Sequence, residues 1–224
     1  MKTVAVIPAY NEEARIEAAV RDAAPFVDAV VVVDDCSRDR TFGRAFAAGA
    51  HVLRHIINRG QGAALQTATD YAVEKLDADI IVHFDADGQM RGEEIPMMTE
   101  PIRLGEADVV LGSRFLGAHA NMPFSRRLTL MGGLLFTRLM SGISTTDTHN
   151  GFRALSREAV KKVRMTLDRM AHASEILDLV QIHKLRYVER PVTIRYTEET
   201  LEKGQSSMGM FVIAKDFIEK RFLG

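Results

Sequence analysis

Two carboxylates one residue apart, Asp85 and Asp87, stand at the end of the run IIVHFDADGQ, which spans residues 80–89. Two negative groups that close repel unless a cation or a hydrogen-bond donor lies between them. A hard divalent ion shared between one or two carboxylates and the phosphates of a substrate is a common solution. The plainer reading is a turn, since Asp and Gly both favour turns. The apolar residues before the pair read as a buried parallel strand. Side chains alternate along an extended strand, which predicts Asp85 and Asp87 on one face. In open α/β sheets ligands bind beyond the carboxyl ends of the strands, where this pair should emerge.

The elements that must position the pair follow from periodicity. Apolar, β-branched runs predict strands over 3–7, 29–33, 50–54 and 108–111, and one within the stretch 80–89. Pro8 is expected to end the first, because a central strand cannot spare an N–H. Helices are expected over 14–24, with Asn11 as cap, and over 41–48, 63–75 and 93–104. Strand and helix alternating in this way imply an α/β fold with a mostly parallel sheet and helices on both faces. A tight glycine loop, Asn58-Arg59-Gly60-Gln61-Gly62, precedes the third helix. Beyond Arg114 the pattern changes. Residues 123–143 are apolar around most of a helix and broken by Arg126, Arg127 and Arg138. They suit either a buried helix or a helix lying in a membrane interface. A returning strand is expected over 151–155, a helix over 171–184, an extended segment over 186–196 and a terminal amphipathic helix over 208–222.

Bulk properties narrow the class. The 224 residues are 46% hydrophobic and 26% charged, with a net charge of −1. That balance gives no reason to expect a nucleic-acid partner. One cysteine, Cys36, makes neither an internal disulfide nor a metal cage, so a reducing cytoplasm is expected. The N-terminal apolar stretch is too short for a signal peptide. No apolar run reaches the roughly 18 residues of a membrane span.

Four predicted strand ends place polar loops on one edge: Pro8-Ala9-Tyr10-Asn11-Glu12, Asp34-Asp35, Asp85-Ala86-Asp87-Gly88-Gln89 and Gly112-Ser113-Arg114-Phe115. Loops on a rigid sheet are where binding residues collect. The ordered set VIPAYNE, VVDDCSRDRT, NRGQGAA, FDADGQ, GSRF and DTHNGFRA resembles the inverting family-2 glycosyltransferases of the GT-A fold, and among them the polyprenyl-phosphate sugar synthases. The resemblance runs from Val4 to about Ser207. It implies a single GT-A domain over 1–224, with a nucleotide-binding half over 1–114 and an acceptor-binding half over 115–224. It implies a nucleotide-sugar donor, of the GDP-mannose or UDP-glucose type, and a polyprenyl (lipid) phosphate acceptor at the cytoplasmic face of a membrane that the protein contacts peripherally.

Residue by residue, the resemblance places Pro8, Ala9 and Tyr10 around the base, Glu12 at the ribose and Asp35 on the base N–H. Asp85 and Ala86 would lie on the nucleoside side. Asp87 and Gln89 would hold Mg²⁺ or Mn²⁺ against the diphosphate, and both ions accept neutral oxygen donors. Arg114, Arg126 and Arg127 match positions that bind an acceptor phosphate, and Arg195 and Lys203 a basic pair near the diphosphate. Asp87, Arg114, Arg127 and Glu175 form the candidate catalytic set. Arg153 reads equally as a structural ion pair, and His83, His149 and His172 as structural histidines. Glu175 matches the region of a general base in relatives with hydroxyl acceptors; a phosphate acceptor is already an anion and needs none. The rival readings are a transferase to a hydroxyl in surface-polysaccharide synthesis and a non-catalytic nucleotide-sugar-binding subunit. A nucleotidyltransferase is disfavoured, because no glycine-rich start follows the first strand. The glycine loop departs from many relatives in carrying Gln61 in place of Lys.

Overall fold

The computed structural model describes residues 1–116, 145–148, 150–166 and 172–195. The expectations for Arg126, Arg127, His149, Lys203, residues 123–143 and the terminal helix lie outside these residues. Seven strands form one sheet in the order β3-β2-β1-β4-β6-β5-β7. They are β1 (Thr3–Ala9), β2 (Ala29–Asp34), β3 (His51–Arg54), β4 (Ile80–His83), β5 (Val109–Ser113), β6 (Arg153–Ser156) and β7 (Tyr187–Pro191). Among the described residues six α-helices accompany them: α1 (Ile16–Ala23), α2 (Thr41–Ala47), α3 (Gln61–Glu74), α4 (Ile95–Arg103), α5 (Arg157–Lys162) and α6 (His172–Ile182).

Strand alternation divides the core into two layers. From β1, Ala5, Ile7 and Ala9 face a layer built with Ile16 and Val20 of α1 and Ile95 and Met98 of α4. Val4 and Val6 face the other layer, with Ala64 and Ala68 of α3 and Ile176 and Val180 of α6. Both faces are thus covered, as expected of a sheet whose strands are nearly continuous apolar runs. β6 is the antiparallel member. It lies between β4 and β5, with Val82 opposite Ala154 on one side and Val110 opposite Ala154 on the other.

Three local expectations are corrected. Pro8 does not end β1; it pairs with Val33 inside the strand. On the β4 side the strand pairing has already ended at Val6 and His83, with Phe84 N–H on Val6 O as the last bond, so Pro8 lies past the end of that ladder. Asn11 does not cap α1, which begins five residues later at Ile16. Asn11 instead has φ 54° and accepts from Arg38 N–H, tying the loop after β1 to the loop after β2. Asp85 and Asp87 do not share a strand face either. β4 stops at His83 and the chain turns, with Gly88 at φ 74°. The Asp87 side chain accepts from Gln89 N–H at 2.9 Å, the local bond of an Asx turn.

Candidate active site

The carboxyl ends of β1, β2 and β4 place their loops together, and hydrogen bonds lock them. Asp35, buried beyond β2, accepts from Gly60 N–H at 2.6 Å, from Arg59 N–H at 3.0 Å and from His55 Nδ1 at 2.7 Å. The other ring nitrogen of His55 lies 3.0 Å from Thr67 Oγ1 on α3. A carboxylate at a helix start satisfies amides that the helix itself leaves unpaired. Asp35 therefore anchors the glycine loop and the start of α3. That aims Gln61 across the site, where its amide donates to Asp85 Oδ1 at 3.2 Å. Asp34 is fully buried and organises the same turn by accepting from Ser37 N–H at 2.8 Å.

Asp85 sits against backbone. A Cβ added at Gly151 would lie 2.6 Å from Asp85 Oδ2 and 3.2 Å from Met90 Cε, so a larger residue before β6 would have to displace the Asp85 side chain. Gly151, in the middle of the DTHNGFRA stretch, thus lies against the Asp85 side chain. Beneath them Phe84 meets Phe152 edge to face at 5.7 Å. Arg195 N–H donates to Gln89 O at 2.9 Å and joins the segment after β7 to the acidic turn.

Burial pushes the Asp85 carboxyl up to about 7; the Asp87 charge adds to the shift, and Arg153 opposes it. Asp87 is also raised by burial, with Gln89 N–H and Arg15 opposing. Arg153, only 2% exposed, is lowered to about 10 by desolvation, while Asp85 and Asp147 hold its charge. His83, opposite Arg153 in the β4–β6 ladder, is held near 3 by burial, by Arg153 and by His172. His83 is neutral and buried, but neither ring nitrogen has a hydrogen-bond partner among the described residues, so it is not the hydrogen-bonded structural histidine expected.

The Asp85 shift has a consequence for stability. A carboxyl raised from 3.8 to about 7 holds more protons folded than unfolded. It therefore weakens the metal-free fold as pH climbs from about 4 through 7, and it has no effect below that window. Asp85→Asn is expected to raise the melting temperature in EDTA at pH 8 and to leave it unchanged below about pH 4. Thermal unfolding across pH checks this, and equal curves for the two proteins at pH 8 would refute it.

The other candidates are placed as follows. Ala9 and Ala86 are buried, Tyr10 is 44% exposed at the rim, and Glu12 pairs with Arg15 through Oε2 at 2.6 Å. Arg114 forms a two-pronged pair with Asp147, at 2.6 Å from Nε and 2.7 Å from Nη2. Arg195 reaches Asp22 at 3.5 Å. Glu175 stands apart from the acidic turn in its bonding: its carboxylate accepts from Thr166 N–H at 2.9 Å and Thr166 Oγ1 at 2.5 Å. Sequence reasoning missed Arg15, Asp22, His55, Asp147 and Gly151. Asp22, His55 and Asp147 meet partners that lie far along the chain, and Arg15 pairs with nearby Glu12. Gly151, in the NGFR stretch, carried the one usable signal, a glycine directly before a buried strand.

The Glycosyl transferase family 2 model matches residues 4–164. A UDP-N-acetylglucosamine–dolichyl-phosphate N-acetylglucosaminyltransferase of Methanococcus voltae is 31% identical, covering 93% of this chain and 91% of its own. An undecaprenyl-phosphate mannosyltransferase of Micrococcus luteus is also 31% identical, covering 94% and 89%. Among solved structures, the glucosyl-3-phosphoglycerate synthase of Mycobacterium tuberculosis, crystallised with Mn²⁺, UDP-glucose and phosphoglyceric acid, superposes with a TM-score of 0.67 at 24% identity, over 95% of this chain and 78% of that one. The order of loops on the sheet edge and the matched sequence agree: the chain belongs to glycosyl transferase family 2 and is a glycosyltransferase of the GT-A fold.

Proposed function

We propose that this glycosyltransferase is a metal-dependent, inverting enzyme that moves a sugar from a nucleotide sugar, of the GDP-mannose or UDP-glucose type, to a polyprenyl phosphate at the cytoplasmic membrane face. It would do so on one domain, with donor contacts from residues 1–114 and acceptor contacts from 115–224. The carrying observation is the acidic turn itself. Asp87 Oδ1 is held by Gln89 N–H, and burial together with the Asp87 charge raises the pKa of Asp85, a pairing that a cation would relieve. Among the described residues no three His, Cys, Asp or Glu side chains form a metal cage. Asp87 and the Gln89 side-chain amide would therefore hold Mg²⁺ or Mn²⁺ together with donor phosphates, a coordination natural to such ions. When bound, the ion would neutralise charge growing on the leaving diphosphate.

The chain's own residues supply the rest. Tyr10, exposed at the rim, offers a stacking face for the base, with Pro8 and Ala9 behind it. Asp35 fixes the glycine loop, and it would take the base N–H on a buried carboxylate that already accepts from Gly60 N–H, Arg59 N–H and His55 Nδ1. Glu12, oriented by Arg15, serves the ribose. Asp85, steadied by Gln61, and Ala86 line the nucleoside side. Arg195 and Lys203 add positive charge near the diphosphate, as preorganised groups do in partly dry sites. Arg114, Arg126 and Arg127 receive the acceptor phosphate, whose oxygen attacks the sugar carbon as the bond to the diphosphate breaks on the opposite side.

Support for a phosphate acceptor comes from the names of the two 31% identical relatives and from Glu175, whose carboxylate is engaged by Thr166. An anionic nucleophile needs no proton removed. Glu175→Gln is expected to change transfer to polyprenyl phosphate by less than about threefold, whereas loss of a true general base costs about 10²–10⁴-fold. Arg127→Ala is expected to cost about tenfold or more, read mainly when the acceptor is varied. The measurement is transfer kinetics with each substrate varied in turn. If Glu175→Gln abolishes transfer while donor binding persists, the acceptor is a hydroxyl.

A further inference from the structure

Beyond β2 and β3, on the same sheet edge as the acidic turn, two loops lie side by side. His55 N–H donates to Asp34 O at 2.9 Å, Arg54 Nη2 to Ser37 O at 2.7 Å and Asn58 Nδ2 to Asp35 O at 3.1 Å. At their tip stand Ile56, 94% exposed, and Ile57, 64% exposed. Two adjacent β-branched aliphatic side chains left this open on a loop braced at both ends form a small, fixed apolar point. On the same two loops Arg38, Arg40, Arg54 and Arg59 are exposed. Arg54 leans towards Asp34 at 3.4 Å and Arg40 towards Glu13 at 3.5 Å. The guanidinium groups of Arg38 and Arg59 have no partner among the described residues. Asp34 and Asp35 are buried, and the half-buried Asp39 and Glu13 accept from backbone N–H groups of Glu13, Thr41 and Arg40, so exposed arginines outnumber acids on the outer surface.

We propose that this Ile56–Ile57 tip, with the arginines of the two loops, docks the sheet edge onto an anionic lipid surface. The chemistry selects the partner. Apolar side chains flanked by cations enter the boundary between acyl chains and anionic headgroups, gaining from burial and from attraction together. A second copy of this chain fits poorly, because a self-complementary contact would bring the same arginines face to face. The position also has a use: the docked edge is the one on which Asp85 and Asp87 emerge. The inference extends the lipid-facing part of the reading above, but it does not require that the acceptor be a lipid phosphate.

The test is flotation of the full chain with phosphatidylcholine vesicles containing or lacking phosphatidylglycerol, with no polyprenyl phosphate present. Wild type is expected to float with the anionic vesicles, and binding should fall when salt is raised to about 0.5 M. The double variant Ile56→Asp/Ile57→Asp is expected to lose about tenfold in vesicle affinity, and Arg38→Glu to weaken it severalfold. Nucleotide binding by both variants, read calorimetrically, should be unchanged, which shows that they fold. Flotation of the double variant equal to wild type overturns the proposal, as does a wild type that ignores anionic vesicles. A double variant that changes the sedimentation coefficient but not flotation would assign the tip to another protein chain instead. Failure of transfer to polyprenyl phosphate, with flotation as expected, would overturn the acceptor reading alone.

Discussion

Asp87→Ala should lower sugar transfer by about 10³-fold or more while the folded protein melts no lower than wild type. The loss follows from the role proposed for its carboxylate: removing a group that holds a divalent ion against the diphosphate forfeits several kcal/mol of charge stabilisation, and each 1.4 kcal/mol is about tenfold in rate. The retained stability follows from the same side chain's cost in the metal-free protein. Burial raises its pKa, and its charge also raises that of Asp85. Taking it away relieves burial cost and repulsion, which outweigh the lost bond to Gln89 N–H and the lost attraction of Arg15. Transfer assays and thermal melts on one preparation read both effects. Wild-type turnover by the variant, or undiminished wild-type turnover in EDTA, would remove the metal from the mechanism.

Gly92→Ala should instead strike the fold. The buried Gly92 begins the turn that leads into α4, and a Cβ there would lie 1.9 Å from Asp22 O and 2.6 Å from Asp22 C, in the last turn of α1. The obstructing atoms are backbone, so no side-chain rotation clears them, and α1 must part from the turn. Overpacking of this kind costs about 3 kcal/mol or more. For a chain of this size that lowers the melting temperature by about 6–12 °C. Asp22 also accepts from Gly92 N–H at 3.2 Å and approaches Arg195 at 3.5 Å, so donor binding should weaken along with stability. A melting temperature within a degree or two of wild type would show that α1 yields more readily than its packing indicates.

Periodicity located most of the sheet, because buried parallel strands are apolar on both faces and announce themselves. Val30 to Val33 are all buried, as their runs required. What periodicity could not supply was lateral order. Nothing in residues 151–155 says that they slide between β4 and β5 rather than join an edge. Strand ends were less legible than strands. Pro8 stays in β1 only because its neighbour diverges first, a fact held in the β4 sequence. The acidic pair was found by residue type, yet its geometry was misjudged, since extended alternation was carried past His83 into a turn. The roles of Asp35 and Glu175 depend on partners more than twenty and nine residues away, respectively, and those partners have no sequence mark as such. Arg114 is similar: its type suggested an anion site, while its pairing with Asp147 emerges only in three dimensions.

The central position of β6 bears on how the chain comes off the ribosome. Residues 3–83 contain β1 to β4, four strands that pair only with one another apart from the outer side of β4. They can assemble early as a parallel unit. β5, although made next, has no place beside β4; its neighbours are β6 and β7, which are made later. Until Arg153–Ser156 has been synthesised, the open side of β4 and both sides of β5 are unpaired, apolar strand edges. Such edges recruit other chains. A nascent chain halted between residues 113 and 153 is therefore the most aggregation-prone species this protein passes through, and β6 closes that interval by pairing on both sides at once.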